Sequence, residues 1–298
     1  MFGSENGSTL SGVDSYVYEK TENKWVIDIA SPTKYWTTGT YDFFSLYSEE
    51  GVGTITMTRN NNLPTFTYDI ESQHEIRLAK ALGVDGGESL GYANSNASKG
   101  NGPVDFTYNH ILSRIKFRGS SSIEGMSIQM TKFIVTATKT AEYAIATNVT
   151  CSTAATAETI ELPYADGVVT VTKADGFKYK DGTEVLDGEG NKITSLKYTE
   201  LPYAETLAKG KVLQKIEGTE KTEEDYAWLV FPTNANEISI KVEYVDNQGI
   251  ITQKTATLPS TTTLEMGKSY IFQFSIQPAG PIVFDDEVII NDWDEEIE

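Results

Sequence analysis

Apolar and polar residues alternate in short stretches along most of the chain. Ile238, Ile240, Val242 and Tyr244 are separated by single polar residues, and residues 53–59 alternate in a similar way. A period of two residues is typical of a β-strand with one buried face. Glycine, asparagine, aspartate and proline divide these stretches, as expected at turns. The pattern therefore predicts many short strands and an all-β fold.

One segment departs from this period. Within residues 72–82, Ile76, Ala79 and Leu82 recur at intervals of three. Spacings of three to four residues place side chains on one face of a helix. We therefore expect this segment to form a short helix.

A serine- and glycine-rich connection at residues 119–125 divides the chain into two parts. The second part carries more strand patterns, together with Asp-Gly turn signals that begin at Asp181 and Asp187. Many short strands without helices between them are typical of β-sandwiches. We predict two sandwich domains in series, an N-terminal domain at residues 1–120 and a C-terminal domain at residues 121–298.

Composition and charge narrow the range of functions. Hydrophobic residues make up 39% and aromatic residues 11% of the 298 positions, which favours packed cores over disorder. The formal net charge is −19. Since phosphate groups attract basic protein surfaces, this charge argues against nucleic acid or an anionic membrane as a partner. Copies of the chain also repel each other, so self-association requires a strong local contact.

Few residues are suited to catalysis. Cys151 is the single cysteine, so the chain can form no internal disulfide, and His74 and His110 are the two histidines. Ser113 and Asp105 are near His110 in sequence, but odd spacings place side chains on opposite faces of a strand. His110 is therefore expected to be a hydrogen-bonded structural residue, and His74 an exposed one. We predict no catalytic residue.

Acidic runs at residues 187–192, 285–287 and 292–296 could attract a cation. They do not match an EF-hand loop, and Lys192 stands where such a loop requires glycine. We predict solvated acidic edges, with no metal site and no cofactor.

Five stretches occur in a characteristic order. Residues 41–47 read Y-D-F-F-S-L-Y, residues 106–117 read F-T-Y-N-H-I-L-S-R-I-K-F, and residues 231–233 read F-P-T. They are followed by M-G-K-S-Y-I-F-Q-F-S-I at 266–276 and V-I-I-N-D-W at 288–293. In this order the stretches resemble the fimbrillin-like family of surface and pilus proteins from Bacteroidetes.

The resemblance implies a fold, a role and a location. Such proteins have two transthyretin-like Greek-key β-sandwich domains, and they are non-enzymatic structural or adhesive subunits of surface fimbriae, of the pilin, tip or accessory type. The expected partners are other fimbrial subunits, and host or bacterial surface glycans or proteins. The expected location is the fimbria or outer membrane at the cell surface. We therefore expect an exported protein whose signal and lipidation segment is absent from this sequence.

The resemblance also implies assembly by β-strand donation, in which main-chain hydrogen bonds and alternating apolar side chains fill a groove in the next subunit. The C-terminal segment is the candidate donor, with Val288 and Ile290 on one face and Ile289 on the other. Trp293 is similar to the family's closing aromatic residue and is expected to pack in its own domain. Family members that polymerise are trimmed by an arginine-specific protease. Because the first arginine here is Arg59, inside a predicted strand, such trimming is expected upstream of this sequence or not at all.

Two other functions stay open on the residues alone. Trp25, Tyr35, Trp36 and Tyr41 are close in sequence and could stack on sugar rings, as in a glycan-binding surface lipoprotein. Alternating aromatic residues of a sandwich are more often core residues, however. A glycoside hydrolase that uses two carboxylates is the second alternative, and it requires a defined separation between them.

Overall fold

The computed structural model describes residues 2–5, 8–9, 16–19, 24–27, 40–48, 56–60, 63–85, 106–125, 127–145, 148–163, 169–213 and 227–293. The strands of the first part of the chain are β1 (Phe2–Glu5), β2 (Ser8–Thr9), β3 (Tyr16–Glu19), β4 (Lys24–Ile27), β5 (Thr40–Ser48), β6 (Thr56–Asn60), β7 (Leu63–Asp69), β8 (Ile76–Asp85), β9 (Asn109–His110), β10 (Ser113–Ser121), β11 (Ile128–Thr138) and β12 (Thr140–Ile145). They are followed by β13 (Val149–Ser152), β14 (Thr159–Pro163), β15 (Val169–Thr172), β16 (Lys178–Tyr179), β17 (Ser195–Leu201), β18 (Lys211–Val212), β19 (Trp228–Val230), β20 (Ser239–Val245), β21 (Ile250–Thr257), β22 (Lys268–Ile276), β23 (Ile282–Phe284) and β24 (Ile289–Asp292).

Short 3-10 turns at Ile70–Ser72, Leu207–Lys209 and Ala235–Glu237 interrupt the strands. The described ranges contain no α-helix. The predicted all-β fold is therefore confirmed.

The helix predicted for residues 72–82 is wrong. This stretch enters strand β8, which pairs antiparallel with β5 from Ile76 to Asp85. Ile76 and Leu78 are both buried, as the two-residue period of a strand requires. Pairing decided the outcome, because a neighbouring strand satisfies the backbone groups that a helix would satisfy internally.

The chain divides into two compact units. The first unit contains Met1–Tyr68, His74–Ile111 and Glu142–Thr150. The second unit contains Asp69–Gln73, Leu112–Ala141 and Cys151–Glu298. The sequence-based boundary near residue 120 and the transthyretin-like topology of each domain stay predictions.

The first unit contains the sheet β2-β1-β5-β8-β9 and the paired strands β3 and β4. The sheet β13-β12-β7-β6 also belongs mainly to it. Phe66 of β7 stacks on Tyr143 of β12 with ring centroids 4.9 Å apart, and both rings are buried. The Tyr143 hydroxyl donates to the Ile111 carbonyl oxygen at 2.9 Å, so the one polar atom of this ring is satisfied inside the core.

The second unit is a β-sandwich. One sheet has the order β18-β10-β22-β23, with β19 also on β10 and β24 also on β22. The other sheet has the order β15-β17-β11-β20-β21-β16, with β14 also on β11. Phe117 and Phe274 of the first sheet contact Phe133 of the second, at ring-centroid distances of 5.0 and 5.6 Å. The two sheets therefore share one hydrophobic core.

A parallel strand pair lies at the centre of the first of these sheets. β10 and β22 run side by side over eight residue pairs, from Arg114 opposite Ser269 to Ser121 opposite Ile276. Both strands are buried along most of their length. This central pair supports the edge at which the predicted donor segment lies.

The turn predicted at Asp181 is confirmed. Asp181 Oδ1 accepts a hydrogen bond from the Thr183 backbone N–H at 2.8 Å. Gly182 has a φ of +89°, a conformation that glycine adopts without a steric penalty. The side chain and the glycine together fix a tight reversal of the chain.

Candidate functional site

The predicted donor segment contains an edge strand of the second unit. β24 pairs antiparallel with the first half of β22, with Asp292 opposite Lys268 and Ile290 opposite Tyr270. β23 pairs with the second half of the same strand. Among the strands that the structure describes, β24 pairs with β22 alone. Its outer side therefore presents backbone groups with which a further strand could pair.

The side chains of this segment differ in burial. Val288 packs against the hydrophobic core, and Ile289 is half-buried. Ile290 is 53% exposed, whereas Trp293 is 8% exposed. The structure thus places all the predicted interface residues at one edge of the sandwich, with Trp293 packed in its own unit. Their use in strand donation stays a prediction.

Arg114, which the sequence analysis did not single out, contacts this segment from β10. It is 3% exposed, and its guanidinium lies 4.9 Å from the centroid of the Trp293 ring. Its Nη2 donates to the Trp293 carbonyl oxygen at 3.3 Å, and its Nε donates to Ser269 Oγ at 3.4 Å. Since 179 positions separate Arg114 from Trp293, no local sequence signal reveals the pair.

Two further contacts hold the end of β24. The Trp293 backbone N–H donates to the Gly267 carbonyl oxygen at 3.0 Å. Lys268 and Asp292 form an ion pair, and the hydrogen bond to Asp292 raises the pKa of Lys268. This pair is largely exposed, so it contributes little to stability.

The connection between β23 and β24 carries three acidic residues in a row, Asp285, Asp286 and Glu287. The Asp285 backbone N–H donates to the Gln273 carbonyl oxygen at 2.9 Å, and Gln273 Nε2 donates to Asp285 Oδ2 at 3.4 Å. Asp286 and Glu287 are exposed. The connection is therefore tied to β22 at its start, while its neighbouring like charges repel each other.

A side chain occupies the edge of β19 in the same sheet. Gln73 Nε2 donates to the Leu229 carbonyl oxygen at 3.0 Å, and the Leu229 N–H donates to Gln73 Oε1 at 2.9 Å. The side-chain amide thus makes both hydrogen bonds that a neighbouring strand would make. Ile70 O also accepts from Gln73 Nε2 at 3.2 Å. Gln73 therefore occupies the backbone groups of Leu229 with which a further strand could pair.

His110 is buried, and its Nδ1 lies against the Glu75 carboxylate. Arg77 Nη2 donates to Glu75 Oε2 at 3.0 Å. Burial alone would raise the pKa of Glu75, but the hydrogen bonds from His110 and Arg77 outweigh burial and hold that pKa below its usual value. Ser113 Oγ donates instead to the Glu265 carbonyl oxygen at 2.8 Å. His110 is therefore a paired structural residue, as predicted.

In the acidic run at residues 187–192, the side chain of Asp187 is hydrogen-bonded to the backbone of the same loop. Asp187 Oδ1 accepts from the backbone N–H groups of Asn191 at 2.8 Å and Glu189 at 2.9 Å. These hydrogen bonds, that from Asn191 first, hold the pKa of Asp187 below its usual value. Within the described ranges, no group of three or more His, Cys, Asp or Glu side chains is placed to share a metal ion.

Several sequence candidates fall elsewhere. His74 is half-buried, so the prediction that it is exposed is wrong; its carbonyl oxygen accepts from the buried Tyr68 hydroxyl at 2.8 Å. Tyr35, Trp36 and Asp105 lie outside the described residues. For Trp25, Tyr41 and Arg59 the structure describes the strand but not the side chain.

No helix in the described part of the chain has the length and apolar character needed to cross a membrane.

Comparisons with known proteins found a matching family model and similar solved structures. A family model described as fimbrillin-like matches residues 2–293. A fimbrial protein from Bacteroides vulgatus has a similar structure, with 16% identity, a TM-score of 0.59, and coverage of 98% of this chain and 91% of that chain. A candidate cell adhesion protein from Bacteroides uniformis is also similar, with 14% identity, a TM-score of 0.51, and coverage of 98% and 90%. At identities this low, the similarity to these two structures shows the fold alone. No curated protein matches the sequence.

Proposed function

The chain belongs to the fimbrillin-like family, and on this premise we propose that it is a structural or adhesive subunit of a surface fimbria that assembles by strand donation. The proposed subunit is non-enzymatic and of the pilin, tip or accessory type. Its proposed location is the fimbria or outer membrane at the cell surface. Its proposed partners are other fimbrial subunits, with surface glycans or proteins as adhesion targets.

The observation that carries this proposal is the position of the C-terminal segment. β24 is a short edge strand that pairs with β22 alone among the described strands, so it can leave without breaking the parallel centre of the sheet. Val288, which directly precedes the strand, and Ile290 within it alternate along the donor segment, and Val288 already packs against an apolar core. Strand addition requires such an alternating segment, because every second side chain enters the acceptor groove.

The negative charge of the protein makes specific assembly necessary. At a net charge of −19, random encounters between copies are repulsive. A donated strand gains main-chain hydrogen bonds and apolar burial over a small area, and both are local contacts that can overcome a long-range field. Polymerisation through this segment is therefore compatible with a soluble subunit.

The decisive experiment compares the two faces of the donor segment. Purified wild-type protein, with or without proteolytic trimming, is expected to give SDS-resistant ladders on unheated gels. A Val288→Ser/Ile290→Ser double variant is expected to lose the ladder, because its groove-filling face is polar. Ile289→Ser, on the opposite face of the same segment, is the matched control and is expected to retain it.

Thermal unfolding of all variants verifies that the loss is not a folding defect. A wild-type protein that stays monomeric under every trimming condition would contradict strand donation. Ladders that persist in a folded double variant would assign donation to another segment.

A further inference from the structure

The side chains of the C-terminal strand β24 contribute little to holding it on its sheet. Ile290 is 53% exposed, Asp292 is exposed, and Ile289 and Asn291 are half-buried. The deeply buried side chain at this end of the segment is Trp293, which directly follows the strand. Besides the main-chain pairing with β22 and the packing of Val288, the attachment of the segment therefore depends on the contacts of Trp293.

That contact reaches across the sheet. Arg114 belongs to β10, whereas β24 lies on the far side of β22, so the arginine spans the intervening strand to reach Trp293. It holds both parts of this residue: the guanidinium lies over the indole at 4.9 Å, and Nη2 donates to the main-chain carbonyl at 3.3 Å. Ser269, on the intervening strand, accepts from Arg114 Nε at 3.4 Å and orients the guanidinium. Arg114, Ser269 and Trp293 together form what we call the latch.

The other contacts near the strand differ from the latch in strength and position. Asp285 ties the start of the preceding connection to β22, on the far side of Val288 from Trp293. The exposed ion pair between Lys268 and Asp292 is screened by salt and offers little resistance. A buried, planar guanidinium that both stacks and donates is a far more specific restraint.

We propose that Arg114 is a positioning residue that, through the latch, sets how readily the C-terminal strand leaves its own sheet. A strand that is paired in its own sheet cannot be donated. If strand donation takes place, as proposed above, the latch therefore controls the supply of free donor segment. Only this consequence rests on the proposed function; the release of the strand is a property of the monomer.

Amide hydrogen exchange on the monomer tests the proposal. Arg114→Lys keeps the charge but loses the planar fork. It is expected to speed the exchange of those amides at 289–293 that are hydrogen-bonded to the neighbouring chain at least about tenfold, a shift of about 1.4 kcal/mol in opening free energy. Exchange in the β10–β22 pair, for example at Phe272, is expected to stay unchanged. Arg118→Lys is the matched control, because Arg118 lies on the same face of β10 and donates to Ala208 O. It is expected to leave 289–293 protected.

A double-mutant cycle tests the route through Trp293. Trp293→Leu alone is expected to speed exchange at 289–292. Arg114→Lys added to it is expected to produce a smaller further change than it does in the wild-type background, because only the hydrogen bond to the main-chain carbonyl of position 293 is then left to lose. A disulfide between cysteines introduced at 268 and 292, in a Cys151→Ser background, is expected to restore protection despite Arg114→Lys. Full additivity of the two substitutions, or exchange that rises equally throughout the second unit, would overturn the latch.

Assembly of the same variants separates the latch from the proposed function. Faster ladder formation by Arg114→Lys supports both. Faster exchange without any ladder supports the latch and counts against donation. Unchanged exchange at 289–293 overturns the latch, whatever the assembly assay shows.

Discussion

Gln73 combines an unfavourable backbone conformation with a side chain that replaces a strand. Its φ of +54° is the only positive value among the described non-glycine residues. Such a conformation costs about 1 kcal/mol or more, and it persists only where surrounding contacts favour it. Here those contacts are the paired hydrogen bonds with Leu229. The side-chain hydrogen bonds of Gln73 therefore offset the cost of its backbone conformation.

Substitution of Gln73 separates these two effects. Gln73→Ala removes the amide and keeps the strained backbone, and we expect a loss of about 1–3 kcal/mol in the free energy of unfolding because Leu229 loses its partner. Gln73→Gly also removes the amide but relieves the strain, so it is expected to be more stable than Gln73→Ala by about 1 kcal/mol. Urea denaturation measures both. An alanine variant as stable as the wild type would contradict this role.

Glu75 makes stability depend on pH. Its pKa in the folded state is depressed, so the ionised carboxylate contributes stability that is fully present above the pKa of Glu75 in the unfolded chain. This contribution is lost as the pH falls through the lower, folded-state pKa. We expect Glu75→Gln to be less stable than the wild type at pH 7 and to lose less stability on acidification. Unfolding free energies between pH 7 and pH 3 measure the difference; parallel curves for the two proteins would contradict it.

At the scale of elements, the parallel pair of β10 and β22 depends on close packing at Gly119. A Cβ at this position would lie 2.8 Å from Phe274 Cζ and 3.2 Å from Leu201 Cδ1, inside ordinary contact distance. Both neighbours are fully buried, so neither can move aside freely. The glycine allows the strand to lie against the aromatic core of the sandwich.

Gly119→Ala is therefore expected to destabilise the second unit by about 1–3 kcal/mol through overpacking. Gly188→Ala serves as the control, because a Cβ there meets no atom within 4 Å and its φ is not positive. Thermal and denaturant unfolding compare the two variants. Equal stability of both would show that the core adapts to the added methyl group.

At the scale of the whole molecule, net charge sets the conditions under which copies can associate. The Debye length falls from about 30 Å at 0.01 M salt to about 8 Å at 0.15 M salt. Since the charge is −19, we expect subunit assembly to accelerate over this range. The rate of ladder formation on unheated gels measures the effect. A rate that is independent of salt would indicate that the donor and acceptor surfaces are shielded from the net charge.

The sequence alone determined the features that depend on neighbours along the chain. The alternation from Ile238 to Tyr244 predicted a half-buried strand, and β20 buries that face in the core of the second unit. The Asp-Gly signal at Asp181 predicted a tight turn that its own carboxylate and a positive-φ glycine complete. The ordered stretches from residue 41 onward predicted the fimbrillin-like family, which the match over residues 2–293 confirms. Period, turn chemistry and composition are local quantities, so a linear sequence contains them in full.

Only the tertiary structure decided which distant segments meet. Residues 76–85 became a strand because β5 lies beside them, although their apolar spacing also fits a helix. Gln73 meets Leu229 across 156 positions, and Arg114 meets Trp293 across 179. The hydrogen bonds of a sheet and the contacts between its faces join residues that are far apart in the chain, and local pattern carries no information about the partner. The edge strand and its latch are therefore products of the fold.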